Sequence, residues 1–191
     1  MLEEYPDKKE KKKKKRSAPM EYAASLLAKK AYSIMEVRRK MREKEYLPEE
    51  IEETVSTFIR HGFLNDTSFA GALAASLHGA CYGKKRIVAK LREKGISSEL
   101  IRETLEGREE EETSSAGDVH TDFSGTEMSA AEKALKSKWK TLKNEPDPRK
   151  RKEKALRFLA GRGFEAGICY RALDHVMQEE NARDISGEDF I

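Results

Sequence analysis

A chain that aligns with itself at a fixed shift has few architectures open to it, because each copy must adopt the same local fold and bury its apolar face against its neighbours. Displacing this sequence by 50 residues sets positions 22–56 on 72–106 without a gap, and 11 of the 35 pairs are identical. Chance gives about two. The identities are Ala24/Ala74, Leu27/Leu77, Tyr32/Tyr82, Lys40/Lys90, Arg42/Arg92, Glu43/Glu93, Lys44/Lys94, Glu49/Glu99, Ile51/Ile101, Glu53/Glu103 and Thr54/Thr104. Val37/Ile87, Met41/Leu91 and Val55/Leu105 keep apolar character at helical spacing, which marks an inner face. A third copy follows the second at a shift of 68, carrying Leu91 to Leu159, Lys94-Gly95-Ile96 to Arg162-Gly163-Phe164 and Leu105 to Leu173.

Local signals divide each copy into three helices. Ser33 with Glu36 and Ser129 with Glu132 have capping-box spacing, and Asp147-Pro148 pairs an N-cap residue with proline at the first helical position. Gly62, Gly95 and Gly163 follow runs ending in Arg60-His61, Lys94 and Arg162, where a left-handed glycine closes a helix. The reading is nine helices, near 22–32, 34–45, 48–61, 67–80, 84–94, 98–106, 129–142, 148–162 and 165–179, with no strand-type alternation. Only 37% of the chain is hydrophobic and 38% is charged, so a unit of about 45 residues cannot sustain a core alone. The expected fold is all-α: three tandem three-helix repeats stacked into an elongated, curved array. Its parts are a basic tail at 1–19, repeats at 20–64, 65–106 and 128–178, an acidic flexible linker at 107–127 and an acidic tail at 179–191.

Net charge is only +3, but the middle helix of every copy is the basic one. Its cations are Arg38, Arg39, Lys40, Arg42 and Lys44 in the first, Lys84, Lys85, Arg86, Lys90, Arg92 and Lys94 in the second, and Arg149 to Lys152, Lys154, Arg157 and Arg162 in the third. Equivalent helices in a row face related directions, so a basic stripe is expected, suited to DNA phosphates or an acidic groove. Arg38, Arg39, Arg42, Lys85, Arg86, Lys90, Arg92, Arg151, Lys152 and Lys154 form the candidate contact set. The plainer alternative is a set of solvated helix faces paired with Glu36, Glu43, Glu93 and Glu153.

Four stretches in order carry a family resemblance: SIMEVRRKMREKEY at Ser33–Tyr46, the segment Ile51–Ala70 ending in HGFLNDTSFA, YGKKRIVAKLREKGIS at Tyr82–Ser97 and RKEKALRFLAGRGF at Arg151–Phe164. Together they resemble the RecX family of regulatory proteins, built from three tandem three-helix repeats, over about residues 22–176. The resemblance implies a protein that binds RecA recombinase, lies along the groove of its filament on DNA, and opposes filament growth, ATP turnover, strand exchange and repressor cleavage in the SOS response. The long acidic linker and the lysine tract at 8–16 depart from the family's usual pattern.

No apolar run of about 18 residues and no hydrophobic stretch behind the lysine tract exists, so neither a membrane span nor a secretory signal is expected, and the location expected is cytoplasmic. Cys81 and Cys169 read as small core residues in a reducing compartment. His78, Cys81, Cys169 and His175 lack the paired spacing of a structural zinc site, so no metal or cofactor is expected. His61 and His120 have no nucleophile or carboxylate at motif spacing, and phosphate loops, GxSxG and HExxH are absent, which argues against an enzyme. Trp139 and Tyr170 read as core, and Phe63 and Phe69 as packing between repeats. Besides a RecA partner, two readings stand: direct DNA binding by helix-turn-helix-like units, and a scaffold for another acidic protein. A monomer is the default.

Overall fold

The computed structural model describes the backbone of residues 17–114 and 123–187 and the side chains of 17–106 and 127–182. Among these residues nine α-helices and no strands occur. The first repeat is α1 (Pro19–Leu27), α2 (Ile34–Arg42) and α3 (Pro48–Arg60). The second is α4 (Asp66–Gly79), α5 (Lys84–Glu93) and α6 (Ser98–Ser114), and the third α7 (Phe123–Leu142), α8 (Pro148–Gly161) and α9 (Ala166–Gly187). The helix starts follow the caps read from sequence. Ser33 and Glu36 form a complete capping box, and Asp147 accepts the Arg149 and Lys150 N–H groups ahead of Pro148.

Each repeat has a core of its own. In the first, Val37 and Met41 of α2 meet Ala23 of α1 and Ile51, Val55 and Phe58 of α3. In the second, Ile87 and Leu91 meet Ala70, Ala74, Ile101 and Leu105. The third is larger: Ala130, Ala131 and Ala134 let α7 approach α9 closely, and Leu135, Trp139, Leu159, Leu173 and Val176 fill the space between the helices. These residues sit at i, i+4 or i, i+3, so the apolar pairs shared between copies are the inner faces of the three bundles. The row is thus three small cores, not one compact globule.

Three features differ from the sequence reading. Helix α6 continues through Ser114 and α7 starts at Phe123, so both enter the segment expected as a linker; 115–122 lie outside the described residues. The glutamate run at 109–112 is a good helix former, and the Ser/Gly punctuation begins only after it. Ser129 therefore lies inside α7 and caps nothing. Helix α9 likewise runs past residue 179 to Gly187, where Glu179 and Glu180 pair with Lys136 and Lys143 of the parallel α7 at 2.8 and 2.7 Å. The lysine tract lies outside the described residues.

The turn after each middle helix is left-handed, with φ of +60° at Glu45, +78° at Gly95 and +89° at Gly163. Only the last two also need glycine for space. A Cβ at Gly95 would lie 2.3 Å from Met35 Sδ, and one at Gly163 would lie 2.4 Å from the Arg86 backbone N, both atoms of the preceding repeat. At the corresponding turn of the first repeat a non-glycine, Glu45, holds the left-handed conformation at the cost of strain. Glu45→Gly should therefore stabilise the protein by about 1 kcal/mol, whereas Gly95→Ala and Gly163→Ala should each destabilise it by about 2 kcal/mol or more. Urea denaturation of the three variants measures this; equal effects at all three positions would show that the close approach does not matter.

Candidate partner-binding surface

Between repeats the chain repeats one junction. The turn ending the middle helix of a repeat docks on the N-terminus of the middle helix before it, where backbone N–H groups have no partner within their own helix. At the first junction the Ser33 hydroxyl donates to Lys94 O at 2.6 Å while accepting from Glu36 N, and Ile34 N donates to Asp66 Oδ1 of α4 at 2.9 Å. At the second, Gly83 N donates to Arg162 O at 3.0 Å, Lys85 N to Gly163 O at 3.2 Å, and Lys84 N to Glu127 Oε1 of α7 at 2.9 Å. An acidic side chain from the first helix of the next repeat thus meets the positive end of the helix dipole at both places. The middle helices meet end to end, C-terminus of one on N-terminus of the other.

The basic residue of each turn reaches across the same boundary. Lys94 Nζ lies 2.6 Å from Glu36 Oε1, a carboxylate that is only 6% exposed. Arg162 donates to the Ala80 and Cys81 carbonyls at 2.9 and 3.2 Å, with its guanidinium over the Tyr82 and Phe158 rings. Cys81 itself, in a left-handed conformation, buries its side chain in the core of the third repeat. Burial opposes ionisation of Glu36, but the Lys94 hydrogen bond, the Ser33 N–H and the charges of Lys94 and Lys30 outweigh it and hold the carboxyl below its ordinary 4.5. Glu127 shifts the other way: burial, reinforced by the Glu165 carboxylate, pushes it up against the Lys84 N–H and the Lys84 and Lys85 charges.

The ten candidate contact residues divide into two groups. Arg38 forms a bidentate pair with Glu52 at 2.9 and 2.7 Å, Arg39 lies 3.8 Å from Glu43, Lys85 3.9 Å from Glu165 and Lys90 2.7 Å from Glu93. Lys154 pairs with Glu145, whose backbone carbonyl accepts from Arg151. Arg42, Arg86, Arg92 and Lys152 are exposed and make no ion pair within 4 Å among the described residues. The pairing expected with Glu36, Glu43 and Glu93 therefore occurs, but it covers only part of the set. The pairs made by Arg38, Lys85 and Lys90, and that of Arg39 with Glu43, lie at the surface, where solvent screens them, and open readily to a competing anion.

The family's three domain profiles match in order: the RecX first three-helix domain over residues 20–57, the second over 65–105 and the third over 126–173. The protein named Regulatory protein RecX in Deinococcus radiodurans is 30% identical over 163 residues, covering 85% of this chain and 70% of that one. Its namesake in Chlorobaculum tepidum is 29% identical over 170 residues, covering 88% and 94%. The chain belongs to the RecX family. A crystal structure of RecX from Lactobacillus salivarius shares its fold with a TM-score of 0.65 at 16% identity, covering 84% of this chain and 95% of that one. A further crystal structure of regulatory protein RecX gives 0.64 at 18%, covering 82% and 70%. No described helix is long and apolar enough to cross a membrane.

In this RecX-family chain sequence reasoning missed the junction. Lys94 and Arg162 stand among the cations of the middle helices, at their C-termini, yet both are spent on the preceding repeat. Phe69 is half-buried in the second repeat's own core. Phe63, expected between repeats, is 69% exposed and rests against Phe58 and His61. Trp139 is core, but Tyr170 is exposed. His175, weighed as a metal ligand, meets Glu132 at 2.9 Å.

The two junction carboxylates predict opposite pH responses. Glu36→Gln should cost about 1–3 kcal/mol at neutral pH, a deficit that closes as pH falls from about 4.5 through the lowered Glu36 pKa, where wild type loses the same charge. Wild type is penalised as pH rises through the raised Glu127 pKa, so Glu127→Gln should gain relative stability above it. Urea midpoints from about pH 3 to 8 measure both. Two variants tracking wild type with the same pH slope would refute the assignment.

Proposed function

We propose that this chain is a regulator that binds the RecA recombinase on DNA and restrains its filament: its ATP turnover, strand exchange and promotion of repressor cleavage. The observation that carries this reading is the end-to-end meeting of α2, α5 and α8, which strings exposed cations free of ion pairs along successive repeats. Membership of a family whose relatives are named regulatory proteins supports it. A row of small bundles can touch several protomers of a helical filament at once. A ligand that binds one arrangement of neighbouring protomers more tightly than another shifts assembly by that difference in affinity, with no chemistry of its own.

Direct reading of base pairs has less support. In helix-turn-helix proteins the N-terminal residues of the recognition helix enter the major groove. Here the N-termini of α2 and α5 are covered by the next repeat, and the first turn of α3 carries Glu49 and Glu50, which repel phosphates.

RecA's DNA-dependent ATPase, measured against added protein at fixed salt, tests the reading. Substoichiometric inhibition is expected. Reversing Arg42, Arg86 and Arg92 together to glutamate should raise the half-inhibiting concentration more than about tenfold, a loss of about 1.4 kcal/mol, with helicity intact. No inhibition by wild type would sink the function, and undiminished inhibition by the variant would remove the stripe from it.

A further inference from the structure

The middle helix of the third repeat is longer at its N-terminus than its counterparts. Lys84, the first residue of α5, aligns with Lys152, yet α8 begins at Pro148. The turn Pro148–Arg151 has no equivalent in α2 or α5, and it occupies the place where another repeat would dock. It holds Arg149, Lys150 and Arg151, followed by Lys152, and no acidic residue. Cations at a helix N-terminus oppose the helix dipole, so local stability does not account for them. Nor does pairing: Arg149, Lys150 and Lys152 are exposed without an ion pair within 4 Å among the described residues.

The acids nearby are already engaged. Asp147 accepts the Arg149 and Lys150 backbone N–H groups, Glu145 is held by Lys154, and Glu153 by Arg157. An open groove of about 370 Å³ lies between α7 and α8, one helical turn beyond Lys150, and is lined by Lys138, Thr141, Asn144, Glu145 and Lys154 together with Leu142 and Phe158. The large apolar side chains that stand exposed, such as Phe63, Leu47 and Tyr170, lie outside the turn and the groove, and the groove's own Leu142 and Phe158 are buried and half-buried. Protein interfaces concentrate energy in buried aromatic and apolar anchors. Phosphate backbones are held by Arg, Lys, Thr and Asn side chains.

We infer that the added first turn of α8, with the groove beside it, is a phosphodiester-binding surface through which this end of the row holds nucleic acid by its backbone. Side chains do the binding, because Asp147 already covers the amides. The inference rests on the filament reading for its setting, and it places the nucleic-acid contact at the third repeat, leaving the cations of α2 and α5 for the protein partner.

The test uses the full chain and a fluorescein-labelled oligo-dT of about 30 nucleotides, with binding measured across a salt series. The triple variant Arg149→Glu, Lys150→Glu, Lys152→Glu should bind more than about tenfold more weakly at low salt, with the log–log salt slope reduced by about 2–3. Its melting temperature should not fall, since acidic residues suit a first helical turn. The conservative triple Arg149→Lys, Lys150→Arg, Lys152→Arg should keep wild-type affinity within about threefold, as should Arg42→Glu with Arg92→Glu. Unchanged affinity and slope in the reversal triple would overturn the inference. So would an equal loss in the Arg42/Arg92 pair, or a triple that loses affinity for polyglutamate alone, which would assign the turn to an acidic protein. RecA ATPase inhibition, run in parallel on wild type, reports on the filament reading separately, so either conclusion can fall while the other stands.

Discussion

The structure depends on one contact made twice: a left-handed turn set against the open end of a helix. A helix N-terminus buried without partners for its amides is costly. The chain meets that requirement at Ile34 and Lys84 with carboxylates from the following repeat, and at Gly83 and Lys85 with carbonyls from the following turn. Because the partner groups come from the next repeat, capping one helix and positioning the next bundle are the same event. Cores this small gain from it, since neither the first nor the second repeat buries more than a handful of large side chains.

That contact also sorts the basic residues. Lys94 and Arg162 are consumed at the boundaries, and half-neutralised pairs such as Lys90–Glu93 decorate the flanks. What stays open is a short set of arginines on α2 and α5 and the cluster at the start of α8. At the last described middle helix, α8, Asp147 and Pro148 cap the N-terminus and the helix has an added turn. At the other end of the row Glu45 stands where the two docked turns have glycine.

Much of this was legible in the sequence. The apolar pairs Val37/Ile87 and Met41/Leu91 mark the inner faces because a buried helical face must recur at 3.6 residues whatever surrounds it, and those residues are core. Ser33, Asp147, Gly95 and Gly163 announce helix ends through local hydrogen bonding and φ alone. The junction was not legible, because Ser33 and Lys94 lie 61 residues apart and nothing local says that a C-terminal lysine will pair with a neighbour's glutamate. One signal was present: the two turns that dock on a preceding repeat carry glycine, at 95 and 163, where a Cβ would collide with that repeat. The split of the candidate cations was hidden for a related reason, since Arg38 finds Glu52 and Lys85 finds Glu165 across helices rather than within one.

Amide hydrogen exchange at the helix starts tests the central contact most directly. First-turn N–H groups of an undocked helix lie open to water and exchange freely, whereas a docked one is protected by whatever holds it. The Ile34, Gly83, Lys84 and Lys85 amides should be protected to the same degree as the amides in the middles of α2 and α5. Free exchange at these four positions, beside protected amides one turn further along, would mean that the repeats do not meet end to end.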